Sequence, residues 1–108
     1  MKRGEVWWLE FEPAAGGEIR KKRLAVVVSN DFSNKHMSRV QVLPLSSNVG
    51  RIYPSETVVT LSGQKNKVMA DQIMTADKRR LKEMIGNLNQ ADMRAVAAAI
   101  QTQLGIEP

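Results

Sequence analysis

The sequence predicts a small, mainly β fold of the α+β kind: an SH3-like, partly open β-barrel with a C-terminal α-helix packed on it. Three observations carry that expectation. From Glu5 to Ala70 the apolar residues come in short runs rich in Val, Leu and Trp, interrupted by Pro, Gly, Asn and Ser, as in a succession of short strands. The tail then changes period, with Met93, Val96, Ile100 and Leu104 forming one stripe at helical spacing. Finally, 108 residues at 43% hydrophobic content suit one core, so a single domain spanning residues 1–108 is expected.

Glu5 to Phe11 reads as the first strand, with Trp7, Leu9 and Phe11 on one face and Val6 and Trp8 on the other. Pro13 and Gly16-Gly17 end it, and a polar loop runs to Lys22. Leu24 to Val28 has no polar alternation, which predicts a strand buried on both faces. Asn30-Asp31 suits a turn, and Ser33 to Ser38 a loop. Arg39 to Leu43 is a further strand, expected to stop at Pro44. Thr57 to Leu61 and Lys67 to Ala70, joined through Ser62 to Asn66, read as a hairpin. Lys78 to Leu81 suggests a helical turn, followed by a strand up to Leu88. Asn89 can cap the last helix with Asp92 in the reciprocal position, Leu88 and Met93 fit a hydrophobic staple, and Gly105 suits a left-handed exit.

A formal charge of +5 and a sequence pI near 9.9 favour an anionic partner, and nucleic acid precedes a membrane because no long amphipathic helix carries the lysines. The absence of cysteine removes disulfides, thiolate nucleophiles and thiolate metal sites. No phosphate-binding loop, dinucleotide fingerprint, zinc-ligand spacing or serine-nucleophile elbow occurs, and neither cofactor nor metal is expected. No run has the length of a signal peptide or a membrane span, so a cytoplasmic protein is expected.

The most informative stretch is Arg20-Lys21-Lys22-Arg23 leading straight into the apolar run Leu24 to Val28. Three of these cations suit a solvated loop, whereas Arg23 adjoins a rigid buried strand and can be aimed at a phosphate. Glu18 and Gly16-Gly17 lie in the loop before it. A second constellation, Pro44-Leu45-Ser46-Ser47-Asn48 with Arg51 beyond, offers hydroxyls, an amide and a cation after a strand, although ordinary turns use the same residues. Asp71-Gln72 follows the hairpin and can point into a groove or tether a loop. Trp7 and Trp8 offer at most one stacking face between them. His36 is the only histidine, which leaves no histidine pair for proton transfer. RNA carries its own nucleophile, the 2′-OH, so arginine, serine and glutamate suffice for cleavage.

With those residues in view, the chain resembles the MazF/PemK (Kid-like) toxins, endoribonucleases paired with antitoxins. The resemblance rests on Lys2-Arg3-Gly4-Glu5-Val6-Trp7, Gly17-Glu18 ahead of Arg23, Ala25 to Asp31, Pro44 to Asn48 and Ala70-Asp71-Gln72-Ile73. It implies a metal-independent mRNA interferase that cuts single-stranded RNA by 2′-OH attack, leaving a 2′,3′-cyclic phosphate and a 5′-OH. Arg23 then stands where the family keeps an arginine at the scissile phosphate, Ser46 where it has a hydroxyl residue, usually Thr, and Glu18 where it has an acidic one. Arg20, Lys21, Lys22, Ser47, Asn48, Arg51, Asp71 and Gln72 are the implied RNA-binding residues. Leu24 replaces the family's usual Pro, and Met69 stands where some Kid-like members have an arginine. The resemblance also implies a homodimer and an antitoxin whose acidic, disordered tail occupies the RNA groove. Two other readings stay open: a non-catalytic SH3-like module for RNA or peptide, and a CcdB-like toxin that binds gyrase.

Overall fold

The computed structural model describes residues 1–10 and 21–107. The strands are β1 (Glu5–Glu10), β2 (Lys22–Val27), β3 (Arg39–Ser46), β4 (Glu56–Leu61), β5 (Gln64–Met69), β6 (Met74–Asp77) and β7 (Leu81–Asn87). Helix α1 (Asp31–His36) follows β2, helix α2 (Gln90–Leu104) ends the chain, and short 3-10 turns cover Ala70–Gln72 and Lys78–Arg80. The sheet runs in the order β4-β5-β3-β2-β1-β7, with β6 also on β3. This curled, half-barrel sheet carries α2 on one side, as the sequence predicts.

Two apolar clusters sit on the two faces of the central strands. Val26 of β2 and Val28 just beyond it join Leu43, Leu45, Val96 and Ala99 beneath α2. Ala25 and Val27 instead join Leu9, Val40, Val42 and Leu81 on the opposite face. Alternate β2 residues therefore enter different clusters, which is why this strand lacks polar alternation. β1 divides in the same way, with Val6 in the first cluster and Leu9 and Trp7 at the second. The predicted position of Phe11 lies outside the described residues.

The structure corrects four expectations. Asn30-Asp31 begins a helix rather than a turn, and α1 takes in Ser33 to His36 of the expected loop, because the Asn30 side chain accepts from the Ser33 N–H at 2.9 Å and caps the helix. Strand β3 continues through Pro44 to Ser46. Proline costs a rung only where an N–H is needed, and Pro44 lies between the two stretches that pair the far edge of β3, Leu45–Ser46 to β5 and Arg39–Val42 to β6. The hairpin turn is tighter than predicted: Leu61 pairs with Gln64 across Ser62 and Gly63, whose φ values of 51° and 81° match the twist of paired strands. Asp92 does not close a capping box; its carboxylate accepts from Thr60 N at 3.1 Å, tying α2 to β4.

The sequence did not disclose β6, a four-residue strand whose composition carries no periodic signal. The turn at Lys78 and the strand after it are as expected. There the Asp77 carboxylate accepts from the guanidinium and the backbone N–H of Arg79, which hold its pKa down at about 2. Asn89 caps α2, accepting from Asp92 N at 2.8 Å, and Gly105 leaves it at φ 68°. Val96 is buried and Met93 and Ile100 pack on the core, but Leu104 is 51% exposed, so the apolar stripe outruns the sheet. Among the described residues no helix is long and apolar enough to cross a membrane.

Candidate active site

Arg23 emerges half-buried near the start of β2, one residue before the cores close around the strand. Leu24 packs against the large cluster and pairs with Trp8, which helps to anchor the strand end from which Arg23 projects. By alternation Arg23 shares the face of Ala25 and Val27, opposite α2.

Ser46 arrives on the same face from the neighbouring strand. The β2–β3 ladder pairs Ala25 with Pro44, Val26 with Leu43 and Val27 with Val42. Continued by two residues, that register sets Arg23 across from Ser46. Ser46 in turn pairs with Lys67 on β5. Directly opposed residues of antiparallel strands put their side chains on one face, so on that continued register Arg23, Ser46 and Lys67 fall in a transverse row.

Gln72 closes the row from the 3-10 turn: Arg23 Nη1 donates to its Oε1 at 3.5 Å. The turn can reach because β5 and β6 both pair with β3, and the chain crosses between them at Ala70–Gln72. Asp71 is exposed beside Gln72, and Met69 is buried, accepting from Gln72 Nε2 at 3.5 Å. The Ser46 hydroxyl accepts from Asn48 N at 3.1 Å, shaping the exit of β3, and the Asn48 side chain accepts from Gly50 N at 3.3 Å.

The predicted set therefore divides. Arg23, Ser46, Asp71 and Gln72 gather at one end of β2 and β3, with Ser47 and Asn48 exposed just beyond. Lys21 and Lys22 are exposed at the entry to β2. Arg51 is exposed in the segment before β4, where its guanidinium meets Tyr53. Glu18 and Arg20 lie outside the described residues. Trp7 and Trp8 are both half-buried, with Trp7 Nε1 donating to Glu5 at 3.0 Å.

Lys67 was not anticipated. Its ammonium pairs with Glu56 at 3.4 Å and donates to the Arg51 carbonyl at 3.2 Å, and the two side chains are only 13% and 8% exposed. A two-residue reading of the Ser62-Gly63 turn would have revealed the pair. It sets Glu56 opposite Met69 and thereby diagonal to Lys67 on the same face.

A guanidinium fork, a hydroxyl and an amide gathered at one end of these strands can hold the oxygens of a phosphodiester and oppose the charge that builds on phosphorus during substitution.

Residues 2–104 match the family described as PemK-like, MazF-like toxin of type II toxin-antitoxin system. The protein named Endoribonuclease MazF9 from Mycobacterium tuberculosis is 33% identical over 98% of both chains. A solved endoribonuclease from a mycobacterial species, in complex with its cognate antitoxin, superposes at a TM-score of 0.82 with 26% identity, covering 100% of this chain and 98% of that one. A MazE–MazF structure from Deinococcus radiodurans gives 0.80 and 28% identity over 99% of this chain and 98% of that one.

Proposed function

We propose that this chain, which belongs to the PemK-like, MazF-like toxin family of type II toxin–antitoxin systems, is a metal-independent endoribonuclease that cuts single-stranded RNA. The observation that supports the chemistry is the β2–β3 register, which, continued two residues past the Ala25–Pro44 pair, sets Arg23 across from Ser46. In the reaction the 2′-oxygen attacks the adjacent phosphorus and loses its proton to a base. The bond from phosphorus to the 5′-oxygen breaks, and that oxygen takes up a proton. The products are a 2′,3′-cyclic phosphate and a 5′-hydroxyl.

Arg23 holds two non-bridging oxygens with its fork and stabilises the dianionic centre. A guanidinium holds its proton tightly and is a poor acid except toward a strongly basic alkoxide, so its main work is electrostatic. Gln72 accepts one N–H of Arg23 and steadies the plane of the fork. Ser46 supplies a hydroxyl donor that lacks the methyl with which threonine would fix its rotamer. Glu18 is the candidate base. Arg20, Lys21, Lys22 and Arg51 draw in the polyanion, while Ser47, Asn48 and Asp71 line the approach.

The same basic surface suits the acidic, disordered tail of a cognate antitoxin, since RNA and an acidic peptide present similar charge. Relatives solved with antitoxins support this partner. A single-domain homodimer working in the cytoplasm completes the reading.

The test is to incubate purified protein with a long RNA in excess chelator, map the cuts, and repeat with 2′-deoxy nucleotides at the mapped positions. Cutting should persist in chelator and vanish at deoxy positions. Loss of cutting in chelator, or cutting at deoxy positions, would refute the mechanism. Binding without any cutting would point to a non-catalytic module.

A further inference from the structure

The segment between β3 and β4 carries an exposed aromatic surface that the cleavage chemistry leaves unused. Tyr53 is 53% exposed. The Arg51 guanidinium carbon stands 5.8 Å from the centre of its ring, and Arg51 Nη1 donates to the tyrosine hydroxyl at 3.3 Å. A cation over one face of the ring leaves the other for a second flat group, as in stacking platforms for single-stranded nucleic acid.

The backbone beneath this pair is fastened on both sides. Lys67 donates to the Arg51 carbonyl, and Glu56, its ion-pair partner, accepts from Tyr53 N at 2.8 Å. Glu56 N also donates to the Tyr53 carbonyl at 2.9 Å. With both charged side chains largely shielded from solvent, the pair is screened less than a surface pair and works as a clasp. The clasp is rooted at the row described above, because Lys67 is the residue paired with Ser46. Tyr53 is therefore tied to the reaction centre through one lysine side chain.

We propose that Tyr53, backed by Arg51, is a stacking subsite for a nucleobase of the RNA beside the cut phosphate, positioned by the Glu56–Lys67 clasp. This rests on the RNA-cleaving reading above. The clasp also gives the neighbouring base a defined place, so the subsite contributes to the choice of cut position.

The experiment measures binding of an RNA oligonucleotide made uncleavable by one 2′-deoxy nucleotide at the cut, together with versions in which each flanking base is replaced in turn by an abasic residue. Tyr53→Ala should weaken binding by about 5- to 150-fold, the range of losing one base–aromatic stack. Tyr53→Phe should bind like the original chain. At one flanking position the abasic RNA should lose the same factor with the original chain and nothing further with Tyr53→Ala. Lys67→Met should weaken binding in the same direction and should not add to Tyr53→Ala. Unchanged binding by Tyr53→Ala, or abasic penalties that multiply with the substitution at every position, would overturn the subsite. If the original chain binds the all-ribose RNA without cutting it, the cleavage reading fails and the binding comparison still decides the subsite. If it binds no RNA, both fail.

Discussion

Two polar clusters flank β2, and they use their hydrogen-bonding groups in opposite ways. At the C-terminal end, Asn34 is 1% exposed and saturated. Its amide donates to Ser29 O at 2.8 Å and to Asp31 at 3.2 Å, its carbonyl accepts from the Ser29 hydroxyl, and Lys78 donates to its backbone oxygen. Asp31 in turn accepts from Arg3 N at 2.7 Å, and this bond, with the Asn34 amide, lowers its pKa. Ser29 also takes the N–H of Gln41 at 3.1 Å. At the N-terminal end, Arg23 brings five N–H donors, and among the described residues one of them meets Gln72, at 3.5 Å. The first cluster closes on itself and fastens α1 to the sheet. The second is held by strands, and among the described residues its guanidinium meets a single glutamine amide.

Substitutions that break this contrast should therefore separate activity from stability. The largest expected effect is that of Arg23→Ala, which should lower the single-turnover cleavage rate by roughly 100- to 1,000-fold, the usual cost of removing a donor aimed at developing charge. Its thermal midpoint should move by no more than about 3 °C, as for other half-exposed substitutions. Asn34→Ala should do the reverse. Leaving buried partners unsatisfied should cost about 2 kcal/mol, roughly 10 °C in the thermal midpoint of a chain this size, while the cleavage rate measured well below that midpoint changes little.

Much of this arrangement could be read in the sequence because it depends on local patterning. The apolar run after Arg23 marked a strand buried on both faces, and the α2 stripe, the Asn89 cap and Gly105 marked the last helix. What escaped depends on partners distant in sequence. Pro44 looked like a terminus because a lone proline removes a rung; only the gap between β5 and β6 on the far edge shows that no rung is lost. Asn30 looked like a turn residue because capping and turn formation use the same side-chain acceptor. Lys67 looked like an ordinary hairpin lysine until β5 paired with β3 and set it opposite Ser46. Arg23 and Ser46 were each legible as candidates, but their juxtaposition is a property of register, which neither strand encodes alone.

If a rigidly presented fork, rather than positive charge alone, acts on the phosphate, the decisive substitution keeps the charge and removes the fork. Arg23→Lys does so, replacing a planar bidentate donor with a point charge. Its single-turnover cleavage rate, measured on the original chain's mapped RNA site, should remain about 100-fold or more below the original. A lysine variant that cuts within about threefold of the original rate would show that charge alone suffices and would contradict the account.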